Sequence, residues 1–120
     1  MATDATVRLE IETTRAGAAT YLVWAEIHLK RDYVLFDLLA GGRSSDPTLA
    51  VVPVRPLRWP GADQVDPAST WLLAHEVEHV ADVYAQRQQR ESVELRAIAA
   101  AMHTLNGDHP KRTRLTVWFF

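Results

Sequence analysis

Apolar and polar residues alternate along the first third of the chain in the pattern of β-strands. Every second residue of 6–12 is aliphatic and the residues between them are polar, which predicts a strand with one buried face. Residues 21–30 alternate in the same way, after a loop at residues 13–20. A further apolar run at residues 33–39 predicts the second arm of a hairpin. A helix over residues 18–29 is the competing interpretation of the alternating segment at residues 21–30.

The next segment contains the turn-forming residues. Residues 41–47 are rich in glycine, serine and aspartate, and this composition predicts a loop. Residues 48–54 form a short apolar run that we interpret as a strand. Pro53 lies inside it and Pro56 follows it, and because proline cannot donate to a sheet ladder, this strand is predicted to lie at an edge.

Two helices follow in the second half of the chain. Asp66 is a favourable N-cap and Pro67 suits a first helical position, so a helix is predicted to begin there. It is predicted to end between Tyr84 and Gln89. A second helix is predicted over residues 92–105, ended by the pair Asn-Gly.

A final alternating segment, residues 114–120, predicts the last strand. The pattern as a whole predicts an α+β fold for residues 1–120. We expect one domain, with a small, mostly antiparallel sheet and two principal helices packed on it.

Composition narrows the class of protein. The chain has 120 residues, 48% of them hydrophobic and 23% charged, which is typical of a globular domain. A net charge of −2 gives no reason to expect nucleic acid or an anionic membrane as a partner. No apolar run approaches the ~20 residues of a transmembrane helix, and no signal peptide is marked, so a cytoplasmic location is expected. Because the chain has no cysteine, any metal ion must be held by histidine and carboxylate.

The main helix contains the pattern H-E-x-x-H at residues 75–79. His75 and His79 are four residues apart, so on a helix their rings lie one turn from each other and can converge on one ion. Glu76, beside the first histidine, is the residue that takes a proton from metal-bound water in such sites. Apolar residues surround the motif, where an ordinary solvated helix face would be polar.

On these residues the chain resembles the zincins, the H-E-x-x-H zinc metallopeptidases. The resemblance implies Zn²⁺ bound by His75 and His79, Glu76 as general base, and a peptide or protein substrate. It also implies that an edge strand before the helix binds the extended substrate. The local sequence is similar to short zincin-like domains of larger bacterial proteins whose substrates are mostly undefined, so it names no substrate.

The third zinc ligand would place the chain within this superfamily. The metzincin pattern requires glycine at position 82 and histidine or aspartate at position 85, where this chain has Asp82 and Ala85. The gluzincin pattern takes a glutamate from the following helix. That pattern leaves Glu91 and Glu94 as the candidates.

We expect Glu94 to be the ligand. Counted at 100° per residue, it falls inside the apolar stripe of the last helix, and a carboxylate among apolar side chains requires a cation. Glu94 can reach His79 only if the chain reverses between residues 85 and 91, because one unbroken helix would separate them by ~22 Å. The alternatives left open are Glu91, Asp82, His103 and His109.

The competing hypothesis is a zincin-shaped domain that binds a partner or builds an assembly and cleaves nothing. The small size of the chain favours it, because most zincin peptidases add a second subdomain. The apolar C-terminus, residues 117–120, favours it as a docking strand. A third hypothesis keeps the helix without any metal ion.

Overall fold

A computed structural model describes residues 4–15, 18–40, 47–58 and 61–120. Residues 41–46, most of the predicted glycine-rich loop, lie outside this range, and Pro47–Leu49 form a short 3-10 turn. In chain order the helices and strands are β1 (Ala5–Arg15), β2 (Ala18–Leu29), α1 (Tyr33–Ala40), β3 (Leu57–Arg58), β4 (Val65–Asp66), β5 (Ser69–Leu72), α2 (Ala74–Gln88), α3 (Val93–Asn106) and β6 (Thr113–Phe119).

Four of the strands form an antiparallel sheet in the order β2-β1-β6-β5. Val7 on β1 lies opposite Ile27 on β2 and Val117 on β6, and Thr70 on β5 also lies opposite Val117. The two-residue strands β3 and β4 pair separately. The predicted α+β fold with an antiparallel sheet is confirmed. The three strands predicted at residues 6–12, 21–30 and 114–120 are confirmed too, except that β2 ends at Leu29 and β6 at Phe119.

The core lies between this sheet and the helices. β1 and β6 supply its middle, and Leu9, Leu115 and Val117 are almost completely buried. Phe36 of α1 meets Phe119 edge to face, with ring centroids 5.5 Å apart. Burial of this apolar area is the main stabilising contribution, and it fixes α2 and α3 against the sheet.

The reversal between residues 85 and 91 is confirmed. α2 ends at Gln88, and Gln89 adopts the left-handed conformation with φ 56° that commonly ends helices. Ser92 then caps α3, because its hydroxyl accepts from the Leu95 amide at 3.3 Å. The two helices therefore form a hairpin, as the separation of His79 from the last helix requires.

The strand predicted at residues 33–39 is wrong, because this segment is the helix α1. Asp32 caps it: its carboxylate accepts from the Leu35 amide at 3.2 Å, and its carbonyl accepts from the Phe36 amide at 3.0 Å. The buried residues are 35, 36, 38 and 39, which share one face of a helix. A nearly continuous apolar run does not distinguish a short buried helix from a strand.

The edge strand predicted at residues 48–54 is also wrong. After the 3-10 turn this segment has no strand pairing, and the Val51 amide donates to the Leu38 carbonyl of α1 at 3.0 Å. Val51 and Val52 pack against the core without a ladder. The strand that precedes the H-E-x-x-H helix is β5, which pairs with β6.

One predicted loop and the start of the main helix lie at other residues than expected. The loop predicted at residues 13–20 is mostly strand, since β1 continues to Arg15 and β2 begins at Ala18. The main helix begins at Ala74 and not at Asp66, whose carboxylate instead accepts from the Ala68 amide two residues later at 2.8 Å. Aspartate forms such local turns as readily as helix caps, and pairing with β6 draws the intervening residues into β5.

Candidate functional site

The H-E-x-x-H residues occupy the first turns of α2, directly after β5. Both histidines are exposed, one turn apart on the outer face of the helix. Val77 and Val80 are fully buried on the opposite face. The helical setting predicted for the motif is therefore confirmed, and the two imidazoles are accessible from one side.

Glu76 lies on a different side of α2 from the histidines and is only 6% exposed. Its two carboxylate oxygens accept a paired hydrogen bond from Arg55, with Nη1–Oε1 2.7 Å and Nη2–Oε2 2.9 Å. Oε1 also accepts from the Leu73 amide at 2.9 Å, which satisfies a free N–H at the start of the helix.

Arg55 is itself held in place. Its guanidinium lies 4.3 Å from the ring centre of Trp71, and Nη1 donates to the Trp71 carbonyl at 3.2 Å. Its backbone amide donates to the Thr70 hydroxyl at 2.9 Å. Arg55 thus ties the segment before β3 to β5 and to α2, and Glu76 is the carboxylate that neutralises it.

Burial raises the pKa of Glu76, but the hydrogen bonds from Arg55 and Leu73 and the positive charge of Arg55 outweigh it, so the net pKa is lowered. A general base needs a proton affinity near the working pH and a free lone pair within reach of the water. Glu76 has a lowered proton affinity, and both of its oxygens already accept hydrogen bonds. These three hydrogen bonds tie the start of α2 to Arg55.

Glu94 is exposed, and the predicted burial of this carboxylate in the apolar stripe of α3 is wrong. The buried stripe also includes Ala99 and Asn106, so its centre lies about a quarter turn around the helix from Glu94. Glu94 Oε2 is instead 3.5 Å from the Lys30 amide, at the end of β2. The structure therefore places Glu94 on the side of α3 that faces β2, and not beside the histidine pair.

Three of the other four candidates for a third ligand have other partners. Asp82 and Glu91 both accept from Arg96, at 2.6 Å and 2.7 Å. His103 Nε2 lies 2.7 Å from Glu78 Oε2, which links α3 to α2. His109 is exposed in the turn after α3.

Three protein ligands and one open position are required for a hydrolytic zinc site. Across residues 4–15, 18–40, 47–58 and 61–120, no group of three or more histidine and carboxylate side chains is placed to hold a metal ion. The predicted set of His75, His79 and Glu94 is therefore not brought together. Within these residues the pair His75 and His79 therefore has no third ligand for a hydrolytic zinc ion, and zinc binding stays a prediction.

Sequence reasoning missed Arg55. It precedes Glu76 by 21 residues, and no spacing rule connects a residue of a proline-containing segment to a helix start. The one available signal is a lone arginine between Pro53 and Pro56 in an apolar stretch, which requires a counter-charge if the stretch is buried.

In the described part of the chain, every helix is too short or too polar to cross a membrane. Comparison of the chain with protein families, with curated proteins and with solved structures gives no match.

Proposed function

We propose that this chain is a non-catalytic binding or assembly domain in which the H-E-x-x-H helix serves the fold and not hydrolysis. The observation that carries the proposal is the hydrogen bonding of Glu76. The residue that would act as base accepts from Arg55 through both oxygens and from Leu73 through one of them.

Releasing Glu76 for proton transfer would separate a largely buried carboxylate from its guanidinium. Breaking such a pair is strongly unfavourable, because each charge loses its partner without regaining full hydration. Arg55 would also have to leave Trp71. The arrangement therefore favours a permanent structural role for Glu76.

The histidines can still bind a metal ion without catalysis. His75 and His79 present imidazole nitrogens on one exposed helix face, and imidazole is a ligand for zinc, copper and nickel. Two ligands leave the other positions to water or to a partner, so such a site would bind weakly and exchange readily.

Exposed apolar surface supports the binding role. Val93 of α3 and Trp24 of β2 are both exposed, and both line one apolar groove. The expected docking strand at residues 117–120 does not serve this purpose. Its first three residues belong to β6, which is buried between β1 and β5.

The test compares the wild type with Glu76→Gln, and uses Glu78→Gln as the matched control on an exposed position of the same helix. Each purified chain is incubated with zinc and with a mixture of unfolded proteins and peptides. We expect no zinc-dependent cleavage by any of the three, and a loss of stability in Glu76→Gln alone. Cleavage by the wild type that disappears in a folded Glu76→Gln protein would overturn the proposal.

A zinc metallopeptidase is the second candidate, and the exposure of both histidine rings on one side of α2 favours it. Its third ligand would have to come from outside the described residues or from a partner chain. The same cleavage assay distinguishes the two candidates. The cytoplasmic location expected from the sequence also belongs to the proposal, and fractionation of cells that express a tagged chain tests it.

A further inference from the structure

The exposed edge of the main sheet is the 12-residue strand β2. Within the described residues it pairs with β1 alone, so the N–H and C=O groups of its other edge have no ladder partner there. Proteins usually protect such an edge with proline or with several charged residues. β2 has no proline, and its only carboxylate or ammonium group is Glu26, which already pairs with Arg8.

The middle of β2 is apolar and exposed on both faces. Tyr21, Leu22, Val23 and Trp24 are 38–58% exposed, and successive strand residues point to opposite sides of a sheet. A partner lying against one face would cover only part of this set. A strand added at the edge brings neighbours to both faces at once.

We propose that a second copy of this chain pairs antiparallel with β2, joining the two sheets across a two-fold axis. This inference deepens the proposed assembly role and rests on it, by naming the partner. The order of residues along β2 supports self-pairing. Glu26 and His28 lie towards one end, so antiparallel pairing puts the two copies of each at opposite ends of the interface, and the apolar segments meet near its centre.

The groove beside the edge gives the partner's side chains a place to pack. It has a volume of about 360 Å³ and lies between β2 and α3, lined by Trp24, Ile27, Val93, Ala97, Ile98 and Ala101 among others. A bulge in β2 helps to form it. Leu9 pairs with Ala25 and Glu10 pairs with Val23, so Trp24 is the extra residue, and it lies on the groove.

The edge is long enough for a stable dimer. Twelve residues of strand span roughly 40 Å, close to the 45 Å longest dimension of the molecule. An isologous contact along this edge can therefore reach the ~800 Å² per partner of an ordinary stable interface.

Sedimentation velocity over a range of concentrations tests the proposal with the full chain. We expect a dimer for the wild type and for Val65→Lys, which places a charge on a comparably exposed valine (48%) of the small second sheet. The double variant Leu22→Lys with Val23→Lys should raise the dissociation constant of the dimer at least ~tenfold, since it places like charges opposite each other at the apolar centre of the interface. Circular dichroism establishes that each variant is folded.

Cross-linking locates the interface independently. Because the chain has no cysteine, a single cysteine introduced at residue 21, 22, 23 or 24 is the only thiol present. At least one of these variants should form a disulfide-linked dimer with diamide, while Val65→Cys should form no disulfide link under the same conditions. A wild-type chain that is monomeric at all concentrations, or a dimer that is insensitive to the double lysine variant, would overturn the proposal.

These outcomes are separate from those of the proposed function. A monomer that cleaves nothing overturns the β2 dimer and leaves the non-catalytic role standing. A dimer with Glu76-dependent cleavage overturns the non-catalytic role and leaves the dimer standing.

Discussion

Replacement of Glu76 by glutamine tests the structural role of the motif glutamate directly. Glutamine keeps the length of the side chain and one acceptor oxygen, so the Leu73 amide can still be satisfied. Its NH₂ group then faces an Arg55 N–H, and two donors meet where a donor met an acceptor. The variant therefore removes one charge-assisted hydrogen bond and the charge that neutralises Arg55.

The size of the effect follows from burial. A hydrogen bond to a charged group contributes about 1.5–3 kcal/mol, and breaking a fully buried ion pair costs about 3–5 kcal/mol. Glu76 is nearly inaccessible but Arg55 is partly exposed, which places this pair between the two cases. We expect the free energy of unfolding to fall by about 2–3 kcal/mol, equivalent to roughly 10 °C in Tm for a domain of this size.

Urea denaturation at neutral pH measures the loss, with Glu78→Gln as the exposed control that should change little. Arg55→Met and the double variant complete a cycle. The double variant should be more stable than the sum of the single losses predicts, because neither charge is then buried alone.

The pH dependence gives a further check with a defined sign. The pKa of Glu76 is lower in the folded chain than the ordinary value of 4.5. Its contribution to stability is therefore complete at neutral pH and is lost as the pH falls below that ordinary value and through the lowered pKa of the folded chain. The stability difference between wild type and Glu76→Gln should narrow over that range. A Glu76→Gln protein within about 0.5 kcal/mol of the wild type at pH 7, the size of an ordinary surface effect, would refute the reasoning.

Three further predictions concern separate parts of the molecule. Zinc affinity, measured by competition with a chromogenic chelator, should fall on His75→Ala and on His79→Ala and stay unchanged on Glu94→Gln; a strong loss on Glu94→Gln would restore the three-ligand site. Burial and the hydrogen bond to Asp32 raise the pKa of Tyr84. The free energy of unfolding of the wild type should therefore fall above pH ~10 more steeply than that of Tyr84→Phe, as measured by urea denaturation at alkaline pH. An equally steep fall in both proteins would contradict this. Asn106→Ala should lower the free energy of unfolding by about 1–3 kcal/mol, because the buried side-chain oxygen of Asn106 accepts from the amide and the hydroxyl of residue 113. An unchanged Tm in thermal unfolding would refute this prediction.

The helical hairpin could be predicted from the sequence because its signals are local. Ser92 is a strong N-cap, the polar residues before it cannot continue a buried face, and Asn106-Gly107 ends α3. The strands β1, β2 and β6 could be predicted from alternation with a period of two, which is also a local signal. Alternation did not predict burial in β2, where residues 21–24 are all exposed. These elements were sufficient to predict the α+β class.

Tertiary structure decided the elements whose local signals are ambiguous. The apolar run at residues 33–39 suits a strand or a short buried helix, and the Asp32 cap together with the packing of Phe36 on Phe119 selects the helix. Asp66 and Pro67 suit a helix start, but pairing with β6 makes a strand of the residues that follow, and the helix begins at Ala74.

The candidate site divides in the same way. The four-residue spacing of His75 and His79 by itself determined that both rings lie on one face of a helix, because helix geometry is local. Which carboxylates lie near them is a long-range property. Glu94 lies beside Lys30 at the end of β2 and Glu76 pairs with Arg55, partners 64 and 21 residues away. Only the folded chain brings such residues together, and the cost of burying a charge without a partner decides which of them pair.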